Sequence, residues 1–171
     1  MPTETEPREY LDERTTATIT VVEQPLVFAR DRSERAANRR DYVTLAATSI
    51  NLAGKIRYAW VAYVWSTLDA QNQATRSAEA LVITADDRRL PLKPLAATPA
   101  AAGISLPVHA PPHMASISRV YETDLQTMRF VAAARNLRVQ TDADEGAPYY
   151  DLWTDRRNSL SQFARFMADG R

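Results

Sequence analysis

Cysteine is absent from this 171-residue chain, which excludes disulfide staples, thiol nucleophiles, Cys-ligated zinc and iron–sulfur clusters. Glycine is scarce, with four in all, so few loops can let the backbone approach a phosphate closely. No P-loop, G-x-G-x-x-G, G-x-S-x-G or H-E-x-x-H pattern occurs, and no cofactor is expected. Long apolar runs are missing too: no segment reaches the roughly 18 residues of a membrane span, and no basic start followed by an apolar stretch marks a secretory signal. Nor is there an excess of charge of one sign. Twenty-one basic residues balance twenty-one acidic ones, so no overall field attracts nucleic acid or an anionic membrane by counterion release.

What is present is ordinary globular material. Hydrophobic residues make up 45% and charged residues 25% of the chain, enough apolar content for one core. Residues 1–16 are acidic, contain Pro2 and Pro7, and read as a flexible tether; residues 17–171 read as a single β-rich domain. Such a tether suits the start of an exported protein whose signal peptide has been removed.

Strand signals dominate the first two thirds. Ile19 and Val21 alternate with polar neighbours before Pro25, and Leu26 to Phe28 continue the run. Val43, Leu45 and Ala47 share one face of a second strand, with Tyr42, Thr44 and Thr48 on the other. A turn at 51–54 predicts a hairpin into the longest strand, 55–67, which is apolar on both sides: Ile56, Tyr58, Trp60, Ala62 and Val64 on one, Ala59, Val61, Tyr63 and Trp65 on the other. Another strand is expected over 80–84. Five prolines between Lys93 and Ala115 predict a long surface excursion. Beyond it, a strand over 117–121 precedes a capping box at Thr123–Gln126 and a helix to about Arg135. A hairpin pairs 137–141 with 149–154, and Asp155 caps a last helix with Leu160, Phe163, Ala164 and Met167 at helical spacing. Strands first and helices late argue for an α+β, mainly β, fold: an antiparallel sandwich or half-open barrel with two helices in the C-terminal third. The helices' apolar stripes are expected to cover the free face of the 55–67 strand, which favours a monomer over a homodimer.

Three groups of residues invite a chemical reading. His109 and His113, with Asp142, Asp144 and Glu145, could ligate a metal and support a metal-dependent hydrolase. Against this, Pro111 and Pro112 forbid the helix that would aim both imidazoles at one ion, and the acidic run fails the EF-hand pattern, since counting from Asp142 puts Gly at five and Trp153 at twelve. A proline-rich loop and an Asp/Gly hairpin turn explain the same residues. Tyr58, Trp60, Tyr63 and Trp65 could form a stacking platform for sugars, peptides or bases, making the partner a protein or small ligand, or simply core. The arginines between 30 and 40 alternate with acids and read as a solvated face.

The segments REYLDER at 8–14, ATIT at 17–20 and PLVFAR at 25–30, with the aromatic strand at 58–65, resemble proteobacterial exported proteins and lipoproteins to which no activity is attached. The resemblance implies an antiparallel β domain in the periplasm or cell envelope rather than the cytoplasm, with a lipid anchor open for the precursor. Together these readings point to a non-enzymatic binding or assembly module, with the metal-dependent hydrolase as the alternative.

Overall fold

The computed structural model describes residues 6–31, 40–66, 80–109 and 117–170. Eleven strands form one antiparallel sheet: β1 (Arg8–Asp12), β2 (Ala17–Val21), β3 (Leu26–Asp31), β4 (Arg40–Leu52), β5 (Lys55–Ser66), β6 (Val82–Ala85), β7 (Arg88–Pro91), β8 (Lys93–Ala96), β9 (Ile117–Thr123), β10 (Leu137–Gln140) and β11 (Tyr150–Thr154). Among the described residues three helices accompany it: α1 (Pro99–Ala102), α2 (Leu125–Ala133) and α3 (Arg157–Asp169).

The main strand order is β7-β6-β10-β11-β3-β4-β5-β9-β8, with β2 beside β4 and β1 beside β2. Its two outermost strands, β7 and β8, are separated in the chain by Leu92 alone. The covalent chain therefore joins the two edges, and the sheet curls into a nearly closed barrel rather than a sandwich. Pro91 and Pro94 lie at this corner, where a missing amide is tolerated, and Leu92 N donates to Leu81 O at 2.9 Å.

The spine is the β4–β5 hairpin, in register from Asp41↔Ser66 to Leu52↔Lys55. Its turn uses Ala53 (φ 53°) and Gly54 (φ 85°), two left-handed residues whose twist matches that of paired strands. Pairing register places Phe28, Val43, Leu45, Trp60, Ala62 and Tyr121 on the inner face, all buried. β4 is long enough to pair with β3 along one half and β2 along the other, so β1 and β2 extend the sheet beyond the barrel.

The second apolar face of β5 is covered, but not by the two C-terminal helices α2 and α3. A strap of residues 98–109 lies over it and buries Ala102, Ile104 and Val108. Gly103 closes α1 with φ 109°, and a Cβ there would meet Ile50 Cγ2 at 3.2 Å. Thr15 Oγ1 donates to Gly103 O (2.6 Å), an Arg57 guanidinium N–H to Ala102 O (3.2 Å), Arg8 to Val108 O, and Ser105 N (2.6 Å) and Oγ (2.7 Å) to the Asp12 carboxylate. The surface excursion expected over 93–115 is thus a second layer as far as His109. The tether expected over 1–16 is corrected likewise: residues 8–12 form a strand paired with β2, and Asp12 at its end is the strap's anchor. α2 and α3 pack on one another, with Met128, Val131, Leu160 and Phe163 buried, and Arg157 donates to Ala134 O and Arg135 O. α2 is capped by Asp124, whose carboxylate accepts from Thr127 N at 2.7 Å, one residue later than the capping box predicts. Among the described residues no helix is long and apolar enough to cross a membrane.

Candidate functional site

Among the described residues the expected metal ligands do not assemble. His109 sits at the end of the strap, and its Nε2–H donates to Val22 O at 2.9 Å, since a carbonyl can only accept. Burial pushes its pKa down, with Arg8 adding to the effect and the Val22 carbonyl opposing it, so the imidazole is a neutral structural donor. His113 lies outside the described residues. Asp142, Asp144 and Glu145 belong to the β10–β11 turn, which is internally satisfied: Asp142 Oδ1 accepts from Asp144 N (3.0 Å), and Asp144 Oδ1 from Gly146 N (3.0 Å). The buried Gln140 amide donates to Ala147 O (2.8 Å) and Glu145 O (3.2 Å) and accepts from Arg89 (3.2 Å). No cluster of three or more metal-ligating side chains exists among the described residues.

The expected stacking surface is split by strand alternation. Trp60 is fully buried on the inner face, and Tyr63 is buried beneath the strap, where burial raises its phenol pKa. Neither is a surface residue. Tyr58 is half-buried and belongs to the inner face. Trp65 alone of the four joins an outer aromatic group, and its companions were not singled out from sequence.

Tyr42 is the cross-strand partner of Trp65, and their rings stack at 4.1 Å with an interplanar angle of 12°. Trp65 Nε1 donates to Thr44 Oγ1 at 3.4 Å, which fixes the indole's orientation. Across Ala29, whose small side chain leaves room on β3, Trp153 meets Tyr42 edge-on at 6.2 Å, and the Arg40 guanidinium lies over the Trp153 ring at 4.6 Å. The β11–β3 register shifts between Leu152 and Thr154, and Trp153 is the residue left without a partner. A bulge of this kind re-aims a side chain. Here it turns an indole outward, 55% exposed, beside a Tyr–Trp stack.

The same outer face continues from Trp153 through Asp151 to Arg138, paired at 3.2 Å, and to Tyr149, whose ring lies 5.4 Å below the Arg138 guanidinium. Next to these, an open cavity of about 320 Å³ is lined by Thr84, Asp87, Asn136, Arg138 and Tyr149. Chemically the face offers flat apolar rings with cations beside them and, among the described residues, no metal cage. The sequence signal for it was the outward phase of Tyr42 and Trp153 in their strands; what sequence lacked was the pairing that brings β11 next to β3. Comparison with protein-family models, curated proteins and solved structures found no match.

Proposed function

We propose that this chain is a non-enzymatic binding module of the cell envelope that acts as a monomer and takes its ligand on the outer aromatic face of Trp153, Tyr42 and Trp65. One observation carries the reading: a bulge holds Trp153 more than half exposed, in edge contact with a stacked Tyr–Trp pair. An indole left in water forgoes burial worth roughly 2 kcal/mol or more. Exposed aromatics with an adjacent arginine are the side chains that dominate binding energetics, because they bring large rigid area at little entropic cost. The envelope location rests on the N-terminal resemblance, and fractionation of cells expressing the full gene tests it: recovery in the cytoplasm overturns it.

The binding face is tested by tryptophan fluorescence titration against panels of glycans and aromatic peptides. A ligand that shifts the emission should lose about tenfold in affinity on Trp153→Ala, in the range measured for stacked aromatic contacts. Unchanged affinity in both Trp153→Ala and Tyr42→Ala would remove the face from consideration.

A further inference from the structure

The cavity at the far end of the outer face has lining groups that the fold leaves uncommitted. In the β6–β7 turn, Asp86 (φ 47°) and Asp87 (φ 69°) both adopt left-handed backbone. The Asp86 carboxylate accepts from Arg135 N and Asn136 N, both at 2.9 Å, and so ties the turn to the end of α2. Asp87, one residue on, has no hydrogen-bond or ion-pair partner among the described residues and lines the cavity. The Asn136 side-chain amide is in the same condition: its backbone N and O are bonded to Asp86, while its amide group has no partner among the described residues. Thr84, opposite Arg138 in the β6–β10 pairing, has a buried hydroxyl with no partner. Arg138 pairs with Asp151 through Nε at 3.2 Å, and its guanidinium carries five N–H donors in all. Tyr149 supplies a ring that is 37% exposed, with the guanidinium over one side.

This donor and acceptor set selects a ligand class. Asp87 can only accept, Arg138 can only donate, and Asn136 and Thr84 do both, so the set is complementary to groups that each donate and accept, namely alcohol hydroxyls. An anion would face Asp87 and Asp151, and a cation would face Arg138. A neutral ring bearing several hydroxyls and one apolar C–H face satisfies the polar groups and packs on Tyr149. The volume, about 320 Å³, accommodates one such ring. Tyr149 and Trp153 are four residues apart, about 13 Å at the usual ~3.3 Å per strand residue, and the rings of Tyr42 and Trp65 continue from Trp153 at 6.2 and 4.1 Å, a span longer than one ring.

We propose that the Thr84–Asp87–Asn136–Arg138–Tyr149 cavity is a saccharide subsite that holds one pyranose unit of a neutral oligosaccharide, whose remaining rings run over Trp153, Tyr42 and Trp65. This rests on the reading of the aromatic face as the binding face. The test is calorimetric titration of the full chain with glucose, galactose and N-acetylglucosamine and with cello-, malto-, xylo- and chito-hexaose, for the wild type, Asp87→Asn, Tyr149→Ala and Trp153→Ala. Asp87→Asn keeps a residue that tolerates left-handed backbone, and circular dichroism checks that each variant is folded. The expected result is that at least one hexaose binds and loses about tenfold in affinity in both Asp87→Asn and Tyr149→Ala, as removal of one charged hydrogen bond or one ring contact does. Trp153→Ala should weaken that hexaose and leave binding of the matching monosaccharide unchanged. If no hexaose binds the wild type, the saccharide assignment is overturned, while the aromatic face stands or falls by its own titration. If a hexaose binds and responds to Trp153→Ala but to neither cavity variant, the subsite is overturned and the face is kept. If it responds to the cavity variants and not to Trp153→Ala, the subsite is kept and the aromatic face is overturned.

Discussion

Asp12 shows how one side chain can hold two distant segments together. Burial raises its carboxyl pKa, but hydrogen bonds from the Ser105 hydroxyl and amide and from the Thr15 and Arg14 amides outweigh that, so the group lies below the usual carboxylate range. Asp155, bonded to Arg157, is lowered in the same sense, and His109 is lowered by burial. The signs follow. The unfolded chain protonates His109 near pH 6.5 while the folded chain resists, so stability is complete above that pH and declines as pH falls through 6.5 towards the depressed folded value. The two aspartates add stability that is present above about pH 4 and lost as pH falls through their folded values. Urea unfolding measured from pH 8 to pH 3 should therefore give a plateau above pH 7, a first decline below 6.5 and a second below 4. His109→Gln should abolish the first decline and spare the second; persistence of the first in that variant would show that another group causes it.

Among elements, the strap departs most from what its sequence suggests. Five prolines and an alanine run give no periodicity, yet residues 98–109 bury three side chains because their backbone carbonyls and amides find partners on Thr15, Arg57, Arg8 and Asp12. Gly103 makes the docking possible. Its φ of 109° disfavours any other residue, and an added methyl would press on Ile50 at 3.2 Å. Gly103→Ala should cost about 1–2 kcal/mol from the left-handed backbone alone. It should also raise protease sensitivity within 98–109 before global unfolding, which limited proteolysis followed by mass spectrometry would read. Equal stability and an unchanged cleavage pattern would mean that the strap adapts without strain. α2 carries a smaller lesson: a Thr-Asp-Leu-Gln start contains two residues able to cap, and the β9 strand keeps Thr123, so the cap passes to Asp124.

For the whole molecule, the decisive feature is that β7 and β8 are neighbours in the chain and occupy opposite ends of the strand order. The covalent joint sets the β7 and β8 edges at one corner, and β1, beyond the barrel, is a further edge. The face of β5 that could have served as a dimer interface lies under the strap, with Tyr63 and Val61 buried there. Light scattering should therefore give a concentration-independent mass near 19.2 kDa. Twice that mass would point to association through the aromatic face, and Trp153→Ala would then restore the monomer.

Local grammar alone determined much of this protein. Alternation placed β2, β4 and β5, the 51–54 turn set the central hairpin, and apolar spacing found α2 and α3, because each of these depends on residues a few positions apart. It also established that both faces of β5 must be covered. Which segment covers the outer one, that residues 8–12 form a strand, and that Trp153, Tyr42 and Trp65 meet while Trp60 and Tyr63 are buried were decided only by tertiary structure. The reason is physical: pairing of β11 with β3 and docking of the strap on β1 and β2 are contacts between segments remote in the chain, set by how the barrel closes, and no local period records them.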